Sequence, residues 1–357
     1  MRFAVLSSTP ASPTEGSGTF VGVDGLIRGL IRRGHEVTFR PLGFRTGFHT
    51  FDRWRYNVAA LIRPPQGDLV VGVDLDGFLW ARRRRCRDGR RVPFVAALKG
   101  IIADELRNER GWVRTLLGIQ ARWERANARR ADRVVVPSRY SARVAAELYG
   151  VAPARIAVVP EPIDLGEWRR RFAAAERRVS SRPTVLSVAR TYPRKRLDDL
   201  LAAAVLLRNR IPDVQVRIVG DGPESEHLRR LHGDLGLGDS AVLLGEVSRA
   251  ELSVEYVSAD CFCLPTIQES FGLVFAEAMA AGLPVVACRA AAVPEIVADG
   301  QTGLLVSPRC PDELAAAMET VLTNHGLRKE LAGQARQRVE AYDLDRVASA
   351  FLEVLPS

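Results

Sequence analysis

Short, mainly apolar runs alternate with longer stretches of helix-forming residues along the whole chain, and this alternation narrows the folds open to it. In the first half the runs are Arg2–Ser7, His35–Arg40, Asp68–Val73, Pro93–Leu98, Arg133–Val136 and Arg155–Val159. Each has the length and the Val/Phe/Ile content of a buried strand. Helical stretches lie between them, among them Thr19–Arg33, which stops at Gly34. The second half repeats the scheme with strands Thr184–Ala189, Val214–Val219, Ala241–Leu244, Cys261–Leu264 and Pro284–Ala287. Its helices are Leu197–Arg210, Glu224–Leu235, Arg249–Ser258 and Pro311–Asn324. Strands that are apolar on both faces, with helices between them, call for parallel sheets covered on both sides. Two such series without internal repetition predict two α/β, doubly wound, Rossmann-like domains, and 357 residues are enough for two cores.

The joint falls at Pro160-Glu161-Pro162-Ile163-Asp164, a turn-rich exit from the last strand of the first half. Residues 166–183 are charged and weakly patterned and read as a linker carrying at most one surface helix, with Arg169-Arg170-Arg171 as a solvated face. The predicted domains are therefore residues 1–165 and 184–340, followed by an amphipathic C-terminal segment, 341–357.

Charge separates the two halves. Residues 1–183 hold 34 Lys and Arg against 18 Asp and Glu, net +16, whereas residues 184–357 are net −7. Such a basic half implies an anionic partner. Basic and aromatic residues are not interleaved in any recognised nucleic-acid motif, so nucleic acid is not expected. The stretch Asp104–Arg130, with Trp112 and Trp123 among many arginines, fits either a helix lying on an anionic membrane or a domain helix with a solvated basic face. Five scattered cysteines do not suggest a disulfide framework, and no apolar run approaches bilayer length. Met1–Leu6 lacks the h-region of an export signal, so the expected location is cytoplasmic, with peripheral contact at the inner face of the membrane as a second expectation.

The most informative stretch is Pro265–Gly282. A buried strand, Cys261–Leu264, leads into a polar turn. Phe271–Ala281 is then rich in helix formers and ends at Gly282, a natural C-cap. Glu269 precedes this helix and Glu277 lies in its second turn. Ser270 and Gly272 fall where backbone N–H groups and the helix dipole make an anion site. An anion site beside carboxylates able to accept from hydroxyls suits a sugar nucleotide; a solvated glutamate in a helix fits the spacing equally well. In Ala189–Leu200, Arg190 and Lys195 follow a strand and precede a helix, where two cations can clamp a diphosphate or simply decorate a solvated loop.

The wording Glu269-Ser-Phe-Gly-Leu-Val-Phe-Ala-Glu277 closely resembles the Glu-x7-Glu signature of retaining GT-B glycosyltransferases of family 4, the glycosyl transferases group 1. The likeness is strong from Val185 to Val306 and loose in the first half. It implies a GT-B fold, two Rossmann-like domains facing a central cleft, with the C-terminal helix crossing back to the first domain. It also implies an enzyme that moves a sugar from a nucleotide-diphosphate donor, UDP- or GDP-linked, without other cofactor or metal. The acceptor would be a small-molecule, lipid-linked or glycan hydroxyl.

By the same resemblance Arg190 and Lys195 hold the donor diphosphate and stabilise the leaving group. Ser270, Phe271, Gly272 and Leu273 present backbone to phosphate and sugar. Glu269 takes sugar hydroxyls and Glu277 ribose hydroxyls, while Val247, in Gly245-Glu246-Val247, lies near the base. Gly16 and Gly18 belong to a Gly-rich loop beside the donor phosphate. Arg194 and Arg196 are bystanders, and a front-side route assisted by the donor phosphate is the implied mechanism. Asp74-Leu75-Asp76 resembles a metal motif of another fold, and Asp74 or Asp76 is read as facing the cleft and touching the acceptor. Lys99 stands where the family often has His, a departure that bears on donor identity, and it joins the candidate catalytic residues. A sugar phosphorylase or nucleotide-sugar epimerase of the same fold, or a non-catalytic nucleotide-sugar-binding protein, are the rival readings.

Overall fold

The computed structural model describes residues 1–9, 17–43, 45–85, 89–178 and 182–356. In chain order its elements begin with β1 (Arg2–Leu6), α1 (Ser17–Arg32), β2 (Glu36–Arg40), α2 (His49–Ile62), β3 (Leu69–Val73), β4 (Phe94–Ala97), α3 (Ile102–Glu105), α4 (Gly111–Arg130), β5 (Arg133–Val136), α5 (Arg139–Tyr149) and β6 (Ile156–Val158). Then come α6 (Leu165–Ala174), β7 (Thr184–Val188), α7 (Leu197–Arg210), β8 (Gln215–Val219), α8 (Ser225–Asp234), β9 (Ala241–Gly245), α9 (Arg249–Ser258), β10 (Cys261–Leu264) and α10 (Leu273–Ala281). The series closes with β11 (Val285–Cys288), α11 (Val293–Ile296), β12 (Gly303–Val306), α12 (Pro311–Thr323), α13 (His325–Val339) and α14 (Leu344–Glu353).

The chain divides into two compact units. One comprises Met1–Ile163 with Tyr342–Ser357, the other Asp164–Ala341. Each holds one six-stranded sheet, in the orders β2-β1-β3-β4-β5-β6 and β12-β11-β10-β7-β8-β9. Every strand pairing is parallel, so the fold is α/β and doubly wound.

The first unit shows why its central strands β1, β3 and β4 are mainly apolar on both faces. Phe3, Val5, Leu69, Val71, Val73, Val95 and Ala97 pack with Val23, Leu26 and Leu30 of α1 and with Val347 and Phe351 of α14. Their neighbours in sequence, Ala4, Leu6, Val70, Phe94, Ala96, Val134 and Val136, turn to the other face, toward Tyr56, Ala128, Val144 and Tyr149. Period-2 alternation thus feeds two cores rather than one core and solvent. In the second unit Val185, Leu186, Val216, Phe262, Cys261 and Cys263 are fully buried, so these cysteines are core residues.

Helix α14 reaches α1 because α1 carries glycines on that side. A Cβ at Gly29 would lie 2.9 Å from both the Leu344 carbonyl oxygen and the Ala348 Cβ, and one at Gly25 would lie 2.9 Å from Pro162 Cγ. Arg33 fixes the end of the contact by donating to the Asp345 carbonyl at 3.2 and 3.1 Å. Burying Val347 and Phe351 in this seam contributes roughly 1.5–3 kcal/mol each.

Four boundaries differ from the sequence reading. The helix expected over Asp104–Arg130 is two helices, α3 and α4, parted at Glu109 and Arg110, whose backbones are extended. The segment 166–183, read as a linker with at most a surface helix, contains α6, whose Trp168 is buried. In the same helix Arg169 and Arg170 are exposed, in keeping with a solvated face, with Arg169 pairing to Glu340 and Arg171 to Glu167. Gly18, placed in a loop, lies in the first turn of α1; Gly16 is outside the described residues. The helix expected from Phe271 starts at Leu273, because Gly272 sits at φ +91° and Phe271 is buried beneath the turn.

Gly29→Val is expected to destabilise the fold by about 2 kcal/mol through overpacking against Leu344. Gly118→Val on α4, where a Cβ meets nothing within 4 Å, serves as the control. Urea denaturation of both variants makes the comparison, and equal midpoints would refute the packing role of Gly29.

Candidate active site

In each sheet the chain winds outward in one direction and then reverses. The second sheet reverses between β7 and β10, which are hydrogen-bonded neighbours with Cys261 opposite Val185 and Phe262 opposite Leu186. The loops leaving the carboxyl ends of two such strands diverge and leave a crevice there. The residues singled out by the sequence leave from these two strands: Arg190 to Lys195 after β7, and Pro265 to Gly272 after β10.

The two loops are fastened to each other. Ile267 N–H donates to the Arg194 carbonyl at 3.0 Å, and Thr266 Oγ1 donates to the same oxygen at 3.2 Å. Lys195 Nζ and a Glu269 carboxylate oxygen form an ion pair, with side chains only 13 and 12% exposed. Glu269 is further held through its carbonyl, which accepts from Ala292 N–H at 3.2 Å. Arg190 is exposed, its guanidinium carbon 5.7 Å from the centre of the Tyr192 ring. Arg196 binds Asp199 through two hydrogen bonds of 2.8 and 2.6 Å, anchoring the start of α7. Arg194 contributes its backbone to the junction, a role not visible in its side-chain chemistry.

Helix α10 begins at Gly272 without a side-chain cap. Its first N–H groups and the positive end of its dipole are therefore available to an anion. One further turn along, Glu277 Oε2 accepts a hydrogen bond of 2.9 Å from the Tyr256 hydroxyl. Burial raises the Glu277 carboxyl above its ordinary value, an effect the Tyr256 hydrogen bond and the cations Arg249 and Arg171 oppose. The two glutamates are thus not a pair; each has its own partner. Neighbouring strand ends are drawn close by glycines. Gly220 has φ +125°, and a Cβ there would sit 2.0 Å from the Ala189 carbonyl oxygen. Val247 follows β9 and is half-buried.

The first sheet reverses between β1 and β3. Asp74 and Asp76 leave β3 there, but both are buried, 7 and 1% exposed, which corrects the reading that they face an acceptor. Asp76 accepts from Ser8 N–H at 2.6 Å, from Ser8 Oγ at 2.8 Å and from Asn57 at 3.0 Å. Asp74, at φ 52°, accepts from Lys99 N–H at 2.8 Å. These carboxylates bind the strand-end loops together.

Lys99 is not a free cation. Its ammonium lies 2.8 Å from Glu161 Oε2 in a pair 10 and 8% exposed. Burial raises the Glu161 carboxyl and Lys99 opposes the rise. Gly22 makes room for this pair, since a Cβ there would meet Glu161 Oε2 at 2.0 Å. Sequence reasoning passed over Glu161 and Tyr256. The signal for Glu161 was its setting between two prolines; Tyr256 looked like any core aromatic. Among the described residues no group of three His, Cys, Asp or Glu side chains is placed to hold a metal ion.

Residues 169–338 match the family model described as Glycosyl transferases group 1, and residues 16–167 match Glycosyltransferase Family 4. The chain is 35% identical over 189 residues to the GDP-mannose-dependent alpha-(1-6)-phosphatidylinositol monomannoside mannosyltransferase of Mycobacterium tuberculosis, covering 51% of this chain and 48% of that one. It is 33% identical over 239 residues to the D-inositol 3-phosphate glycosyltransferase of Actinosynnema mirum, covering 62 and 56%. The aligned part is thus about half the length of these relatives. Among solved structures, sucrose-phosphate synthase of Thermosynechococcus elongatus superposes with TM-score 0.80 at 20% identity over 99 and 98% of the two chains. WaaG, described as a glycosyltransferase involved in lipopolysaccharide biosynthesis, gives 0.74 at 18% over 100% of both. These likenesses show a shared GT-B fold.

Burial drives the Asp76 carboxyl up to about 6 from 3.8. A folded pKa above the unfolded one favours the protonated acid, so that stability is fully present below about pH 4 and lost as pH rises through about 6. Relative to Asp76→Asn, the wild-type protein is expected to lose about 1–3 kcal/mol of unfolding free energy between pH 4 and pH 7. Denaturant titrations at the two pH values measure this, and an unchanged difference would contradict the assignment.

Proposed function

As this chain is a member of the GT-B glycosyltransferases of group 1 and family 4, we propose that it moves a sugar from a nucleoside-diphosphate donor, UDP- or GDP-linked, to a hydroxyl acceptor with retention of configuration. The observation that carries the proposal is the Lys195–Glu269 pair at the β7/β10 reversal, beside the uncapped start of α10. A diphosphate arriving there meets the Lys195 ammonium, the Arg190 guanidinium and the α10 N–H groups from Gly272 onward. Negative charge grows on the leaving diphosphate as the glycosidic bond breaks, and fixed donors and cations lower that barrier most. In this reading the two cations supply the charge a metal ion supplies elsewhere. Glu269 takes sugar hydroxyls, Glu277 ribose hydroxyls, and Val247 lies near the base. With Glu269 paired to Lys195 and Glu277 to Tyr256, the reading is a front-side displacement in which the donor phosphate assists acceptor deprotonation. Relatives named for GDP-mannose and a HepE structure of Anabaena bound to UDP-glucose support a nucleotide-sugar donor of either base. In the first unit, Lys99 is proposed to contribute to transfer, held by Glu161.

The test is a thermal-shift screen of UDP, GDP and their sugars, followed by transfer or donor-hydrolysis assays. Selective binding raises the melting temperature by mass action. Lys195→Ala is expected to lower kcat/KM by about 100-fold or more, and Glu277→Ala to weaken the donor about tenfold. Full transfer by both variants would sink the site.

We further propose that the first unit docks on an anionic membrane from the cytoplasm. Among the described residues no helix is long and apolar enough to cross a bilayer. Phe48 and Trp112 are nevertheless 73 and 71% exposed, and Phe51 stacks on Trp54 at the surface of α2. Helices α2 and α4 touch where Gln120 donates to Thr50 Oγ1 at 2.8 Å. Exposed aromatics among arginines fit an interface of headgroups and acyl chains. Co-sedimentation with phosphatidylglycerol vesicles at low salt should exceed that with phosphatidylcholine, and Trp112→Ala should reduce it; absence of binding would end the idea.

A further inference from the structure

The carboxylate proposed to hold the ribose is oriented by a residue that no motif marks. Glu277 sits on α10, which packs against both α6 and α9. Among the described residues its carboxylate receives one hydrogen bond, from Tyr256 of α9 to Oε2, which leaves Oε1 for a ligand. Tyr256 is fully buried. Its ring stacks on Phe262 of β10 at 6.2 Å and meets Trp168 and Phe172 of α6 edge-on at 5.7 and 6.1 Å. Trp168 and Phe172 stack on each other at 5.1 Å, and Phe262 continues the column to Phe275 of α10 itself. A phenylalanine would fill the same volume. The hydroxyl is the only part of Tyr256 that filling the core does not require, and it is aimed at Glu277.

We infer that Tyr256 is a positioning residue for Glu277, fixing its carboxylate through one hydrogen bond, and that α6 is tied to that carboxylate through the rings of Trp168 and Phe172. The inference rests on the reading of Glu277 as the ribose-binding group. Its physical basis is the cost of an unanchored half-buried carboxylate. Glu277 has three rotatable bonds, and a hydrogen bond to one oxygen removes most of that freedom before a ligand arrives. The rigid aromatic column keeps the hydroxyl in place. Helix α6 is the first element after Ile163, where the chain enters the second unit. The segment that looked like a linker is therefore packed against the group that orders the site. The charged groups around Glu277 are Arg249 of α9 and Arg171 of α6. From α13, Arg336 lies against Gly282 at the far end of the helix.

The experiment measures the affinity of GDP, UDP and their 2′-deoxy forms for the full chain by calorimetry. Wild type should prefer the ribose nucleotides, and Glu277→Gln should lose that preference. Tyr256→Phe, which keeps the aromatic column, should fold normally, weaken the ribose nucleotides about three- to tenfold and weaken the 2′-deoxy forms, which keep only the 3′-hydroxyl, less. In transfer assays its effect should fall on donor KM rather than kcat. Removing a hydrogen bond that favours the ionised carboxylate should also move the acid limb of binding to higher pH. Trp168→Leu should reduce the ribose preference in the same direction, and Trp168→Phe should restore it. If Glu277→Gln loses the preference while Tyr256→Phe keeps it, the inference is wrong and the site reading stands. If Glu277→Gln itself keeps the preference, the site reading fails and takes the inference with it. A Trp168→Leu variant that melts earlier yet keeps the wild-type preference would remove α6 from the mechanism.

Discussion

The pairing of β7 with β10 is the contact on which the rest of the second unit depends. These strands are joined by none of the local connections; 72 residues separate the opposed Cys261–Leu264 and Thr184–Val188 at their nearest. Once they pair, everything built between them must lie to one side, in the order β7-β8-β9, and everything after β10 to the other. Parallel strands deliver all their carboxyl ends to one edge, so the reversal places the loop of Lys195 beside the loop of Glu269. The Arg194 carbonyl then takes hydrogen bonds from Thr266 and Ile267, locking a juxtaposition the sheet has already imposed.

The first unit obeys the same rule and uses it differently. At its own reversal the edge is occupied by carboxylates that hold backbone. Asp76 gathers Ser8 and Asn57, and Asp74 gathers Lys99. Glu124, also buried, accepts from Ile102 N–H at 2.8 Å and from the Tyr149 hydroxyl, and burial together with the nearby Asp74 raises its carboxyl well above the ordinary range. Acid groups taken out of water persist where donors surround them or where they keep their proton. The net positive charge of this half is therefore a property of its surface, since many of its acids are spent inside.

Much of this was legible in the sequence. Strand positions followed from apolar runs of four to six residues, because a doubly covered parallel strand has no polar face to confuse the pattern. The strand β12 escaped notice since it is four residues long and opens with Gly303, which is needed there because a Cβ would sit 1.9 Å from the Val285 carbonyl oxygen. The break between α3 and α4 was hidden because Glu109 and Arg110, both good helix formers by type, are the residues that adopt extended backbone there. Segment 165–174 was misjudged because its arginines dominate the composition while two aromatics, Trp168 and Phe172, set its packing.

The sequence alone determined the fold class and the spacing of Glu269 and Glu277 about a helix start, since both rest on local periodicity and on one unbroken stretch of chain. Tertiary structure decided what each charged group does. Lys195 finds Glu269 across 74 residues, Lys99 finds Glu161 across 62, and Tyr256 finds Glu277 across 21. Those partners depend on which strands become neighbours, a choice made by the whole sheet and written in no single segment. The Glu269–Glu277 stretch therefore announces a site, while its working geometry belongs to the residues the fold brings to it.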